Sequence, residues 1–173
     1  CGAACDVCGR WSCKEHVHRY EDCGHVVCAE HVAYCVGGGE EICALCHAGC
    51  AICGQPVCTE HIIICRRCGQ GYCPGCIGKS GLCETCASIA EFGEPVDMQQ
   101  EPCAAHPSVT ELARHFHWVR AENRRYVIYM GRSGLLSGAV VTVERGPRGG
   151  KVVAAHRLSL HDMLRDRFAW TGD

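Results

Sequence analysis

One phrase is written four times in the first half of this chain, and it sets the terms for any fold. Cys8-Gly9 leads to Cys13 and His16, and Cys23-Gly24 to Cys28 and His31. Cys53-Gly54 leads to Cys58 and His61, and Cys68-Gly69 to Cys73 and Cys76. In each copy the second Cys follows the first by five residues, and a His or Cys follows three further on. Soft ligands at regular spacing are the pattern of structural zinc sites.

The phrase repeats at two periods, a short one and a long one. At the short period Cys8, Cys13 and His16 recur as Cys23, Cys28 and His31, a shift of fifteen positions. At the long period that pair recurs after forty-five positions, with Cys5 mapping onto Cys50, so the region reads as a duplicated pair of linked units. The pattern fails where Tyr20 stands opposite Cys65, with His18 as the nearest substitute, and Cys35 has no counterpart. The chain begins at Cys1 rather than Met, which reads as a fragment or a processed product.

Of the 19 Cys among 173 residues, 18 precede residue 87. Such density also suits disulfide-stapled secreted domains. Here the count is odd, and His61 occupies the place that Cys76 takes in the next copy, which no disulfide allows. A reducing compartment, cytoplasm or nucleus, is therefore expected. No run approaches the roughly 18 apolar residues that span a bilayer.

A C-x2-C-G knuckle leaves a tight turn whose Gly permits positive φ, a short strand follows, and the next Cys-x2-His/Cys suits a helical first turn. Cys23-Gly24-x3-Cys28-x2-His31 resembles the central segment of AN-one-type zinc fingers. The alternating pairs over roughly 5–86 resemble B-box, RING and other cross-brace or treble-clef modules. Cross-brace order would join Cys50/Cys53 to Cys65/Cys68, Cys58/His61 to Cys73/Cys76, and Cys13/His16 to Cys28/His31. It would join Cys5/Cys8 to Cys23 and His18, and Cys83/Cys86 to Cys103/His106. Cys35, Cys43 and Cys46 would make a sixth site; a sequential ribbon would instead pair Cys43/Cys46 with Cys50/Cys53. Five or six structural zinc ions are expected, with little conventional core between them.

The fold expected is a small metal-stabilised irregular α+β zinc array over residues 1–86, a linker over 87–102, and a small basic α+β domain over 103–173. Ser108 and Glu111 form a capping box. Val109, Leu112, Phe116 and Val119 recur at helical spacing, which predicts a helix to about Asn123. Strands are predicted at 125–130, 139–144 and 151–157, then a last helix from Leu160 behind a Ser159/Asp162 capping box, giving α-β-β-β-α. His115 and His117 are further ligand candidates beside Cys103/His106.

Charge divides the chain as well. Residues 1–90 carry 6 Lys/Arg against 9 Asp/Glu, while residues 103–170 carry 11 against 5. Arg120, Arg124, Arg125, Arg145, Arg148 and Lys151 could form a phosphate-facing patch. No nucleophile elbow, P-loop or paired catalytic carboxylates occur. The leading expectation is a non-enzymatic multi-zinc interaction module of a larger protein or complex, with no membrane role. The alternatives are a nucleic-acid-binding accessory region of a helicase or similar enzyme, and a ubiquitin-ligase-like cross-brace protein using Trp11.

Overall fold

In the computed structural model, residues 2–134, 137–146, 150–162 and 164 are described. Five hairpins occupy the first half. They pair Gly2–Ala4 with Trp11–Cys13, Val17–Arg19 with Val26–Cys28, and Val32–Tyr34 with Glu41–Cys43. Ala48–Gly49 pairs with Pro56–Val57, and Ile63–Ile64 with Gly71–Tyr72. Ala3↔Ser12, His18↔Val27, Ala33↔Ile42, Ala48↔Val57 and Ile63↔Tyr72 follow one another at a constant step, the short period of the sequence. The structure therefore repeats at that period throughout, in five units, and the longer echo is three of those steps.

The turn of every hairpin is built alike. The N–H groups of Gly9, Gly24, Gly39, Gly54 and Gly69 donate to the carbonyls of residues 5, 20, 35, 50 and 65 at 2.7–2.9 Å. All five glycines sit at φ of +70 to +78°, a conformation that costs other residues about 1–2 kcal/mol. The repeated Gly thus belongs to the turn, whether or not the cysteines around it are all present.

Small cores sit between the units. Val27, Val57 and Tyr72, at one position of the repeat, are fully buried. Val27 packs with Cys5, Cys28 and Tyr20. This corrects the expectation of little apolar packing: three of the five units bury an apolar side chain at this position, Ile42 of the third is partly buried, and the first has Ser12.

After the fifth hairpin the chain forms helix α1 (Glu84–Phe92) and then a five-stranded antiparallel meander. Its order is Glu94–Val96, His117–Glu122, Tyr126–Ser133, Ser137–Glu144, Lys151–Leu158. Tyr126, Ile128, Met130 and Val140 face α1 and the last cysteine cluster, packing with Cys65, Cys68, Tyr72 and Ile89. Tyr129, Ala139, Val141 and Val143 face the other way, over Met98, Cys103 and helix α2 (Pro107–Ala113). The strict alternation is the period of a strand buried on both faces.

Three expectations are corrected here. Residues 87–102 are not a free connector: they end α1, add the edge strand Glu94–Val96 and form a turn of 3-10 helix at Met98–Gln100. The predicted helix to Asn123 stops at Ala113, and His117–Glu122 is a strand. The indole Nε1 of Trp118 donates to the Ala113 carbonyl at 3.2 Å, closing the helix end, and Gly131 opposite leaves room for the ring. Strand pairing on both sides overrode a helical pattern that Phe116 and Val119 also satisfy as strand residues. The cap of α2 is His106, whose Nδ1 accepts from the Ser108 N–H at 3.3 Å, not Ser108 itself. The Ser159/Asp162 box is formed, while most of the helix expected behind it lies outside the described residues. Among the described residues no helix is long and apolar enough to cross a membrane.

Candidate metal centres

Five groups of side chains among the described residues could each hold a metal ion, with four donor atoms within 4.8 Å of one another. They are Cys5/Cys8/Cys28/His31, Cys23/His25/Cys43/Cys46, Cys35/Glu40/Cys58/His61, Cys50/Cys53/Cys73/Cys76 and Cys65/Cys68/Cys83/Cys86. Their logic follows from the repeat unit. Each knuckle is closed by the Cys-x2-Cys/His pair of the next unit: Cys5 by Cys28, Cys35 by Cys58, Cys50 by Cys73. The first four sites therefore each span two hairpins, the fifth joins the last hairpin to α1, and the chain runs through neighbouring sites alternately.

This order corrects all the cross-brace pairings expected above. Cys50/Cys53 meets Cys73/Cys76 rather than Cys65/Cys68, and Cys58/His61 meets Cys35. Cys28/His31 closes Cys5/Cys8, so Cys13 and His16 are left as a pair of their own. Cys13 Sγ and His16 Nδ1 lie 2.9 Å apart, exposed, and no further ligand among the described residues joins them. The expected Cys35/Cys43/Cys46 site is divided between two clusters. The ribbon alternative fails with it, because Cys43/Cys46 faces Cys23 and His25.

The last knuckle is closed early, by Cys83 and Cys86 at the N-terminus of α1, where the spacing of the other sites would have selected Ser88. A turn at Gly78–Leu82 replaces another hairpin there and shortens the path. Cys103 and His106 are thus not needed. Cys103 is buried against the Met98 sulfur at 3.9 Å, and burial pushes its thiol up. His18 Nδ1 lies 2.8 Å from Glu41 Oε1, and among the described residues none of His18, His115 and His117 joins a cluster. Cys1 lies outside the described residues.

Two sites depart from the four-Cys/His pattern, and both are repaired in one way. Position 20 is Tyr where the other knuckles begin with Cys, and position 38 is Gly where they end with Cys. In each case the missing donor comes from the residue just after the turn glycine. His25 Nδ1 lies 3.2 Å from Cys46 Sγ and 3.6 Å from Cys43 Sγ. Glu40 Oε1 lies 2.9 Å from both Cys58 Sγ and His61 Nδ1. Where both knuckle cysteines are present, the same position holds Arg10, Gln55 or Gln70. The short period, carried across all five units, would have exposed this column; reading two periods hid it. Tyr20 meanwhile ties the second hairpin to the third, its hydroxyl donating to Glu41 Oε1 at 2.9 Å and to the Ile42 carbonyl at 3.1 Å.

The donor sets fit a bound cation. The 18 described cysteines are all free thiols. Crowded together they cannot all ionise alone: a hydrogen bond to Cys23 pushes the Cys46 thiol up to about 11, and Cys65 raises both Cys83 and Cys86. Others are poised as thiolates. Burial opposes ionisation of Cys50, but N–H groups of Cys73, Cys53 and Ile52 and the Cys53 thiol outweigh it and bring it to about 6. Backbone N–H groups also point at sulfur from Cys58 and Gly37 to Cys35, and from Cys83 to Cys65. One divalent cation per cluster resolves this conflict of like charges, and thiolate–imidazole sets are the donors that zinc takes.

The last cluster has four buried thiols, and with a divalent ion its formal charge is −2. Arg67, itself buried, answers that charge from within the knuckle, and its guanidinium donates to the Cys86 carbonyl.

Four of the basic residues named above are engaged within the chain. Arg120 Nη2 donates to Glu122 at 3.2 Å and Arg125 Nε to Glu144 at 2.9 Å. Arg145 Nη1 donates to the Asn123 carbonyl at 3.1 Å, and Arg124 Nη1 reaches the Cys53 carbonyl at 3.2 Å. Lys151 is exposed and Arg148 lies outside the described residues. No protein family, curated protein or solved structure matches this chain.

Proposed function

We propose that this chain is a zinc ladder serving as a non-enzymatic interaction module, a stiff rod of hairpins anchored at one end to a small sheet. The observation that carries it is the interleaving of the five sites, which ties every hairpin to its neighbours with four donors per site. Each of the five groups among the described residues offers four donors, whereas catalytic zinc centres take three from the protein and keep a position for substrate. Trp11 and Tyr34 stand 73% and 62% exposed on this rod, large apolar side chains that its own packing does not use. Such residues are the usual anchors of protein contacts.

Nucleic-acid binding is the weaker reading, because Arg120, Arg124, Arg125 and Arg145 already meet carboxylates and carbonyls of the chain. Fluorescence anisotropy with short single- and double-stranded oligonucleotides separates the two. The scaffold reading expects no saturable binding at physiological salt. Tight binding with a steep salt dependence, lost in an Arg120→Ala/Arg145→Ala variant, overturns it.

A further inference from the structure

The two clusters that break the repeat share a cavity. A depression of about 330 Å³ among the second, third and fourth units is lined by Cys23, Cys43 and Cys46 of one cluster and by Glu40 and Cys58 of the other. The third cluster is also the one whose donors are least alike: two sulfurs, an imidazole and a carboxylate. Its Glu40 and His61 side chains are 41% and 36% exposed.

The carboxylate occupies a place made for it. A Cβ on Gly38 would strike Glu40 Oε2 and the His61 ring, and a Cβ on Gly37 would strike His61. The Gly37-Gly38-Gly39 run is therefore an opening filled by the Glu40 carboxylate, where the other knuckles place a second thiolate. Glu40 is a hard oxygen donor on a flexible stem, among soft ligands held by backbone turns. Of the four donors it is the one a borderline-soft metal holds least strongly.

We infer that the third site takes an external ligand, a cysteine thiolate, which displaces Glu40 from the metal and enters through the shared cavity. The balance is simple. The incoming thiol gives its proton to solvent or to the released Glu40 carboxylate, one metal–oxygen bond breaks and one metal–sulfur bond forms. No electrons are transferred. The product has three thiolates and one imidazole, the donor set already present in the first and second clusters. The other four sites contain no carboxylate among their donors and offer no comparable exchange.

The inference rests on the clusters holding metal, and the test reports on both. The chain is loaded with Co²⁺, its metal content measured, and 2-mercaptoethanol titrated while thiolate-to-cobalt charge-transfer absorption is followed. The expected result is five cobalt ions per chain and a saturable rise worth one added thiolate. Glu40→Gln lowers the half-saturating thiol concentration about tenfold. Glu40→His, which places at this position the residue that donates to the second cluster as His25, supplies a fourth internal soft donor and abolishes the response. Five cobalt ions with no response in the native chain overturn this inference alone. A response that survives in Glu40→His, or is unmoved by Glu40→Gln, overturns it as well. Fewer than four cobalt ions overturn the metal reading beneath it.

Discussion

Tyr20 and His25 show how one unit divides two tasks that a single cysteine performs elsewhere. Tyr20 keeps the mechanical link to the third hairpin through Glu41 and Ile42, while His25 brings the donor. The tasks should separate on mutation. His25→Ala lowers the bound zinc by one ion per chain, whereas His18→Ala and Cys13→Ser leave the count unchanged; native mass spectrometry reads this directly. Tyr20→Phe keeps all the zinc but weakens the fold by about 1 kcal/mol, the net value of a typical hydrogen bond, visible in urea melts at fixed free zinc. Gly69→Ala tests the turn: its Cβ meets nothing within 4 Å, so the expected loss of about 1–2 kcal/mol is backbone strain alone. At this scale the sequence was legible wherever the ligand was Cys or His in the expected column. His25 and Glu40 were missed because neither residue sits in a C-x2-C frame, and Glu is a poor marker of a soft site.

At the scale of elements, the joint between ladder and sheet carries the testable detail. Thr142, fully buried in the fourth strand of the sheet, donates its hydroxyl to the Cys68 carbonyl at 3.2 Å, and Asn123 reaches Thr85 on α1 at 3.3 Å. Thr142→Val leaves that buried carbonyl without its side-chain donor and should cost about 1–3 kcal/mol, with the zinc count intact. Ser159→Ala should cost about 1 kcal/mol by removing a cap. Its effect should be flat between pH 6 and 8. A hydrogen bond from Ser159 holds the Asp162 carboxyl below its ordinary 3.8. A folded value below the unfolded one gives stability present above the unfolded value and lost only as pH falls through the folded one.

The strands predicted at 125–130, 139–144 and 151–157 overlap those observed at 126–133, 137–144 and 151–158, since runs of strand-forming residues bounded by glycine turns mark them. The strand His117–Glu122 was not, because a capping signal and apolar residues three and four apart describe a helix until the neighbouring strands are known. The linker at 87–102 was misread for a related reason: Glu94–Val96 is too short to announce itself, and becomes a strand only by pairing with Trp118–Arg120.

For the whole molecule, the claim is that the metals are shared between neighbours rather than housed within units. The short period in the sequence implied duplication, but it is silent on whether a knuckle closes on its own unit or the next; only the three-dimensional register decides that. Sharing has a thermodynamic consequence. Structural zinc sites contribute apparent binding energies of about 10 kcal/mol or more, so the rod should lose order when stripped. Because each ion ties two hairpins, loss of an interior site should loosen both. Acid acts in the same direction: unbound thiolates and imidazoles take up protons, so the unfolded chain binds more of them and stability rises with pH until the ligands are fully deprotonated.

The most direct test is the metal content of the purified, folded chain by native mass spectrometry, repeated after titration with a strong chelator. The account predicts five zinc ions per chain, and loss of the hairpin signals in amide exchange as they are removed. Fewer than four zinc ions in a folded chain, or hairpins that stay protected after all metal is gone, would contradict it.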